Sequence, residues 1–133
     1  SALSLGLAQG AFDEALAYSQ ERSQFGSPIF NFQMVQKLIA DMATSLEASR
    51  LLIYNAASIL DKGGNARLAA SYAKLMACDE CMRITTDAVH VHGGYGFTKE
   101  FRVERMMRDA KVFSIGAGTS EVQRMIICHY LRR

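Results

Sequence analysis

The chain contains no tryptophan, a single proline (Pro28) and three cysteines in 133 residues. With one proline, almost nothing interrupts the backbone hydrogen-bond ladder, so long helices are permitted throughout. Three cysteines cannot all pair with one another, and a chain of this size needs no covalent staples, which favours a reducing compartment. No apolar run approaches the roughly 20 residues of a membrane-spanning helix, and no signal-peptide pattern opens the sequence. Neither sign of charge is in excess. A net charge of +2 without a basic block argues against a dedicated nucleic-acid or membrane surface.

What is present is ordinary for one globular domain: 50% hydrophobic and 21% charged residues. The chain opens without an initiator Met and already inside a helical pattern, so a fragment of a longer protein is expected. Leu3 to Glu21 reads as a first helix with Leu3, Leu7, Ala11, Ala15 and Tyr18 along its apolar stripe. Gly6 and Gly10 in that helix predict close approach of another backbone. Ser23 to Asn31 is a connector punctuated by Gly26 and Pro28. A second helix fits Phe32 to Asp61, with Val35, Leu38, Ile39, Met42, Leu46 and Ile53 at core spacing, and Lys62-Gly63-Gly64-Asn65 ends it. The third, Ala66 to about His90, is apolar nearly all round and is expected at the centre. A turn at Gly93, Gly94 and Gly96, a shorter helix over Phe101 to Lys111 and a last one over Thr119 to Leu131 complete the chain. The expected class is all-α, an up-down bundle of four main helices.

Cys78-Asp-Glu-Cys81 lies within the third helix. It has no partner pair at zinc-site spacing and does not open a helix as a redox pair would, so packing is the better reading for both cysteines, and for Cys128. Arg108-Asp109 reads as a structural ion pair. Three segments carry more. Arg22-Ser-Gln-Phe25-Gly26 ends the first helix, where a cation complements the helix dipole and a planar guanidinium suits a diphosphate. His90-Val-His92-Gly93-Gly94-Tyr95-Gly96-Phe97 turns the backbone sharply or lets a ligand approach it. Gly116-Ala117-Gly118 runs into a helix N-terminus at Thr119-Ser120-Glu121, where Thr119 or Ser120 caps the helix and Glu121 favours its positive end.

In order, these segments resemble the C-terminal helical domain of the flavin-dependent acyl-CoA dehydrogenases, from Gly6 to Arg124. The signature is Arg108-Asp-Ala-Lys111, six residues, then Gly118-Thr-Ser-Glu-Val-Gln-Arg124. The resemblance implies FAD as cofactor. Arg22 and Phe25 would meet its pyrophosphate across a subunit boundary, and Gln33 its adenosine side. His90, Gly93 and Gly94 would meet its adenine dinucleotide portion, His90 standing where the family usually has Gln. Thr119 and Glu121 would also contact the flavin.

Ala117 occupies the position at which most members carry the Glu that removes the substrate's α-proton, and a methyl group has no acid–base chemistry. Gly-Ala-Gly-Thr-Ser-Glu-Val matches the isovaleryl-CoA dehydrogenase branch, in which the base is a Glu on the first helix. Here that residue is expected roughly one helical turn before Ser1, so no catalytic residue is assigned within the chain. By the same resemblance, the Ala117 backbone N–H donates to the thioester carbonyl. Gly116 would leave room for short branched acyl groups. The expectation for the whole protein is an FAD-dependent acyl-CoA dehydrogenase that passes electrons to an electron-transferring flavoprotein, works as a homotetramer, and resides in the cytoplasm of a prokaryote or the mitochondrial matrix of a eukaryote. This chain would then be its C-terminal third, inactive alone. An acyl-CoA oxidase, a flavin monooxygenase or a purely structural assembly module are the alternatives.

Overall fold

A computed structural model describes residues 1–132. Five α-helices account for most of it: α1 (Ala2–Glu21), α2 (Gln33–Asp61), α3 (Arg67–His92), α4 (Arg102–Ile115) and α5 (Ser120–Leu131). The helical class is as expected. All five expected helices are present among the described residues, the last two 14 and 12 residues long. α3 is the centre of the bundle and packs against α1, α2, α4 and α5.

The core runs through Ala8, Ala11 and Ala15 of α1, Met42 and Leu46 of α2, Ile84 and Ala88 of α3, and Val103 and Ala110 of α4. Small side chains let α1 lie close to its neighbours, but they are alanines and serines. The predicted glycine contact does not exist: a Cβ on Gly6 would meet nothing within 4 Å, and one on Gly10 only the end of Met106 at 3.6 Å. The apolar stripe holds at Leu7, Ala11, Ala15 and Tyr18 but not at Leu3. Leu3 is 78% exposed, and Ser4, Ala8, Ala11, Ala15 and Ser19 are the buried residues. Three buried hydroxyls bond to backbone carbonyls three or four residues back: Ser4 Oγ to Ser1 at 2.7 Å, Ser19 Oγ to Leu16 at 2.8 Å, and Thr85 Oγ1 to Cys81 at 2.8 Å. That is how a polar face survives inside the bundle.

α3 is less uniformly apolar than its sequence suggests, since Asp79, Glu80 and Arg83 lie along its partly open side. The predicted ion pair is corrected too. Arg108 binds Glu104 one turn back, at 2.9 and 3.0 Å, because adjacent helical residues such as Arg108 and Asp109 do not face each other. Cys78 and Cys81 are buried as expected, but Cys128 is exposed rather than packed. Burial, with Cys78 alongside, pushes the Cys81 thiol up to about 12. No helix among the described residues is long and apolar enough to cross a membrane.

The connector after α1 is an ordered ribbon. Strands β1 (Ser23–Gln24) and β2 (Ser27–Pro28) pair antiparallel, Gln24 opposite Ser27, around a two-residue turn. Phe25 and Gly26 both have positive φ, 54° and 79°, which is the turn whose twist suits a tight hairpin. A 3₁₀ turn over Ile29–Asn31 then leads into α2.

Candidate functional site

The predicted residues fall into separate clefts on the bundle. The first, about 460 Å³, lies where the end of α1 meets the end of α3 and includes Arg22, Gln24, Gly93, Gly94 and Thr98. Two motifs some 70 residues apart in sequence therefore form one wall. Arg22 is the cap residue of α1, its N–H bonded to the Tyr18 carbonyl at 2.8 Å. Its guanidinium lies over the Tyr95 ring, 5.5 Å from the centroid, and among the described residues no carboxylate pairs with it. A cation stacked on an aromatic face and left without a counter-ion is ready for an anionic ligand. α3 continues to His92, two residues beyond the predicted end, and the glycine segment winds into a 3₁₀ turn, Gly93–Phe97. Gly96 is obligatory there, because a Cβ would lie 2.6 Å from the Val89 carbonyl oxygen. A Cβ at Gly93 or Gly94 would meet nothing within 4 Å, so open space adjoins the backbone on the ligand side.

Phe25 stands at the tip of the ribbon, 95% exposed, its ring edge-on to Phe32 at 6.2 Å. Gln33, the first residue of α2, is exposed and lies outside this cleft. So does His90, whose side chain is 68% exposed with Nδ1 3.8 Å from Asp87. The imidazole that does line the cleft is His92, which motif alignment passes over. It is visible in hindsight as the residue one turn after the buried Ala88 on a helix that runs further than glycine placement suggests.

Near the other end of α3 the Gly116–Gly118 loop sits over a smaller cleft, about 280 Å³, lined by Leu3, Lys74, Cys78, Phe113, Gly116 and Ala117 among others. No carboxylate lines it. Ala117 has φ +53°, a left-handed conformation costly for a residue with a Cβ. Among the described residues, none accepts a hydrogen bond from its N–H. The loop is held from both sides. Upstream, Lys74 Nζ donates to the Phe113 carbonyl at 3.0 Å, satisfying one of the orphan acceptors at the end of α4. Downstream, Thr119 Oγ1 accepts from the Val122 N–H as the α5 cap, while Ser120 and Arg124 both donate to Asp79 of α3, at 2.6 and 2.7 Å. Thr119 and Glu121 line a third cleft with Lys111 and Arg124. The Glu121 carboxylate is held below the usual range by its own backbone N–H first and then by the Thr119 hydroxyl. Lys74 and Asp79 escaped the sequence reading, since what they do depends on contacts about 40 residues away.

Among the described residues, the bundle thus carries a cation with no carboxylate partner beside a glycine backbone near one end of α3, and near the other a left-handed loop just before a helix N-terminus. Residues 1–131 match the family described as acyl-CoA dehydrogenase, C-terminal domain, and the chain belongs to that family. It is 56% identical over 124 residues to the caffeyl-CoA reductase-Etf complex subunit CarC of Acetobacterium woodii, covering 93% of this chain and 33% of that protein. It is 50% identical over 126 residues to cyclohexane-1-carbonyl-CoA dehydrogenase of Geobacter metallireducens, covering 95% and 33%. Among solved structures, butyryl-CoA dehydrogenase from Megasphaera elsdenii superposes with a TM-score of 0.96 at 44% identity, over 98% of this chain and 34% of that one. The chain thus spans about a third of the length of the relatives it matches.

Proposed function

We propose that this domain supplies the FAD-contacting and assembly part of an FAD-dependent acyl-CoA dehydrogenase that acts on the Cα–Cβ bond of a short or branched acyl-CoA. The observation that carries this reading is the Ala117 loop. Its N–H is unclaimed, its conformation is held by flanking contacts, and it faces a cleft with apolar walls where a thioester carbonyl would gain most from a fixed donor. When bound, FAD supplies a hydride acceptor for the substrate β-carbon. The chain's own residues orient and polarise. Ala117 N–H donates to the carbonyl oxygen as negative charge develops there. Arg22, Gly93 and Gly94 hold the dinucleotide; the free cation and the open backbone in their cleft fit such a group. Thr119 and Glu121 flank the flavin beside the loop.

The α-proton needs a carboxylate that this cleft does not contain. In this reading the base is a Glu of the full-length protein outside this chain, and replacing that Glu by Gln is expected to abolish turnover while flavin still binds. Gly116 leaves room beside the acyl chain for a branch. Electrons leave to an electron-transferring flavoprotein, and the protein assembles as a homotetramer through its exposed apolar side chains. A second reading, running the same chemistry as a reductase, is favoured by the name of the relative with 56% identity; the same contacts stabilise one transition state in either direction.

The test is anaerobic. The full-length protein, purified with its flavin, is mixed with isovaleryl-CoA and with straight-chain acyl-CoAs. Bleaching of the flavin absorbance by the branched thioester is expected. Bleaching only by long straight chains would discard the substrate assignment, and no bleaching by any thioester would discard the dehydrogenase. If air replaced the flavoprotein as acceptor at comparable rate, the protein would be an oxidase.

A further inference from the structure

We propose that His92 contacts the nucleotide half of the bound dinucleotide, its Nε2 taking a hydrogen bond from a hydroxyl or amino donor of the ligand. The inference rests on the dinucleotide reading of the Arg22 cleft and adds a residue to it. His92 is 4% exposed, yet it lines that cleft. Its ring is fixed on three sides: stacked on Tyr18 at 4.2 Å between centroids and 23° between planes, edge-on to Phe101 at 5.4 Å, and tied through Nδ1 to the Ala88 carbonyl at 2.8 Å. A carbonyl only accepts, so Nδ1 carries the proton, and in the neutral ring Nε2 is left as an acceptor.

No described protein group bonds to Nε2, and it is not among the buried polar atoms sealed away from any partner. In a ring buried on every other side, the cleft is where that nitrogen finds one. Nε2 is reached by solvent rather than sealed, so in the free protein water satisfies it, and a ligand donor entering the cleft can take that water's place. His90, two residues earlier, is its opposite: exposed, beside Asp87, and outside the cleft. The neighbouring Arg22 takes the anionic part of the ligand, which leaves the neutral acceptor for a ribose hydroxyl or the adenine amino group.

The experiment uses the full-length protein stripped of flavin and titrated with FAD by fluorescence. In His92→Asn the amide nitrogen replaces Nδ1 and keeps the Ala88 bond, but nothing reaches the Nε2 position. In His92→Gln the longer side chain restores a polar atom there. The Asn variant is expected to bind FAD roughly threefold to tenfold more weakly, the range of one neutral hydrogen bond. The Gln variant should stay within about twofold of the parent. Both variants lose the ring's packing on Tyr18 and Phe101, so the apoprotein Tm is expected to fall similarly in the two, and the difference in FAD affinity between them reads the contact. Unchanged affinity in the Asn variant, or equal loss in both, overturns the proposal. Arg22→Met measured alongside separates the failures: if it too keeps FAD, the dinucleotide cleft itself is misassigned. On the unaltered protein, diethyl pyrocarbonate mapping gives a readout independent of folding. His90 should be modified with or without FAD, and His92 only without it. Equal modification of His92 in both states would sink the assignment.

Discussion

The two ends of α3 solve opposite problems. At the Arg22 end, aromatic rings and a buried imidazole enclose a cleft whose ligand-facing parts are a fixed cation and bare glycine backbone. Around Ala117 the wall is a short loop in a costly conformation, braced by Lys74 on one flank and Asp79 on the other. From Lys74 to His92 the helix rises about 27 Å, so the two regions are independent in contact though joined by one rod. Under the proposed function, the two regions separate affinity from chemistry. The rigid aromatic end is suited to holding a ligand's remote part, and the braced loop to meeting charge that appears only during reaction.

The sharpest way to break that division is Arg22→Met. It should weaken FAD binding by roughly thirtyfold, for a charge-assisted hydrogen bond of about 2 kcal/mol. The substrate KM at saturating FAD should hold steady in steady-state kinetics. A KM that rose in parallel would mean the ends are coupled. Asp79→Ala removes the acceptor for both Ser120 and Arg124, and should cost about 1–2 kcal/mol of stability in urea unfolding. Most of that loss belongs to Ser120, since Arg124 is largely exposed and its pair is screened by water. Lys74→Met frees the Phe113 carbonyl and with it the root of the loop; kcat/KM is expected to fall about tenfold with FAD affinity unchanged, and Lys74→Arg to recover part of it. If Lys74→Met lost flavin instead of rate, the division of labour would be reversed.

The smallest effect concerns the thiols. Cys128 should react with a maleimide at neutral pH while Cys78 and Cys81 stay unlabelled until the protein unfolds, as peptide mass mapping would report. The pH dependence has a definite sign. With its folded value pushed up to about 12 from the ordinary 9.0, Cys81 keeps its proton in the fold after the unfolded chain has lost it. Its contribution therefore opposes folding increasingly as pH rises above about 9, and Cys81→Ala should flatten the alkaline limb of the stability profile.

Helix existence was readable because glycine clusters punctuate a chain with almost no proline, and the centrality of α3 followed from its composition. What escaped has physical reasons. On α1 only Leu3 left the expected stripe, and the buried Ser4 and Ser19 were missed because small polar side chains also fit the tight contact. The ribbon at Ser23–Pro28 is two residues a side, too short for any alternation to show. α4 runs four residues past Lys111 because the glycine that stops it comes only at Gly116. Arg22, Gly93 and Gly94, from two segments about 70 residues apart, come to one cleft in the structure. His92 was missed because it lies two residues past the expected end of the helix, and Lys74 because its partner, the Phe113 carbonyl, is 39 residues along the chain.

Ala117 has one more consequence. A glycine there would relax the left-handed backbone, yet it would make a run of three glycines from 116 to 118, with many shapes open to the loop before a substrate arrives. The methyl group narrows that ensemble. Replacing it by glycine relieves about 1 kcal/mol of local strain while giving back a similar amount in unfolded-chain entropy, so folding stability scarcely moves. What changes is the spread of directions in which one N–H points, and a donor that must search for its acceptor arrives late.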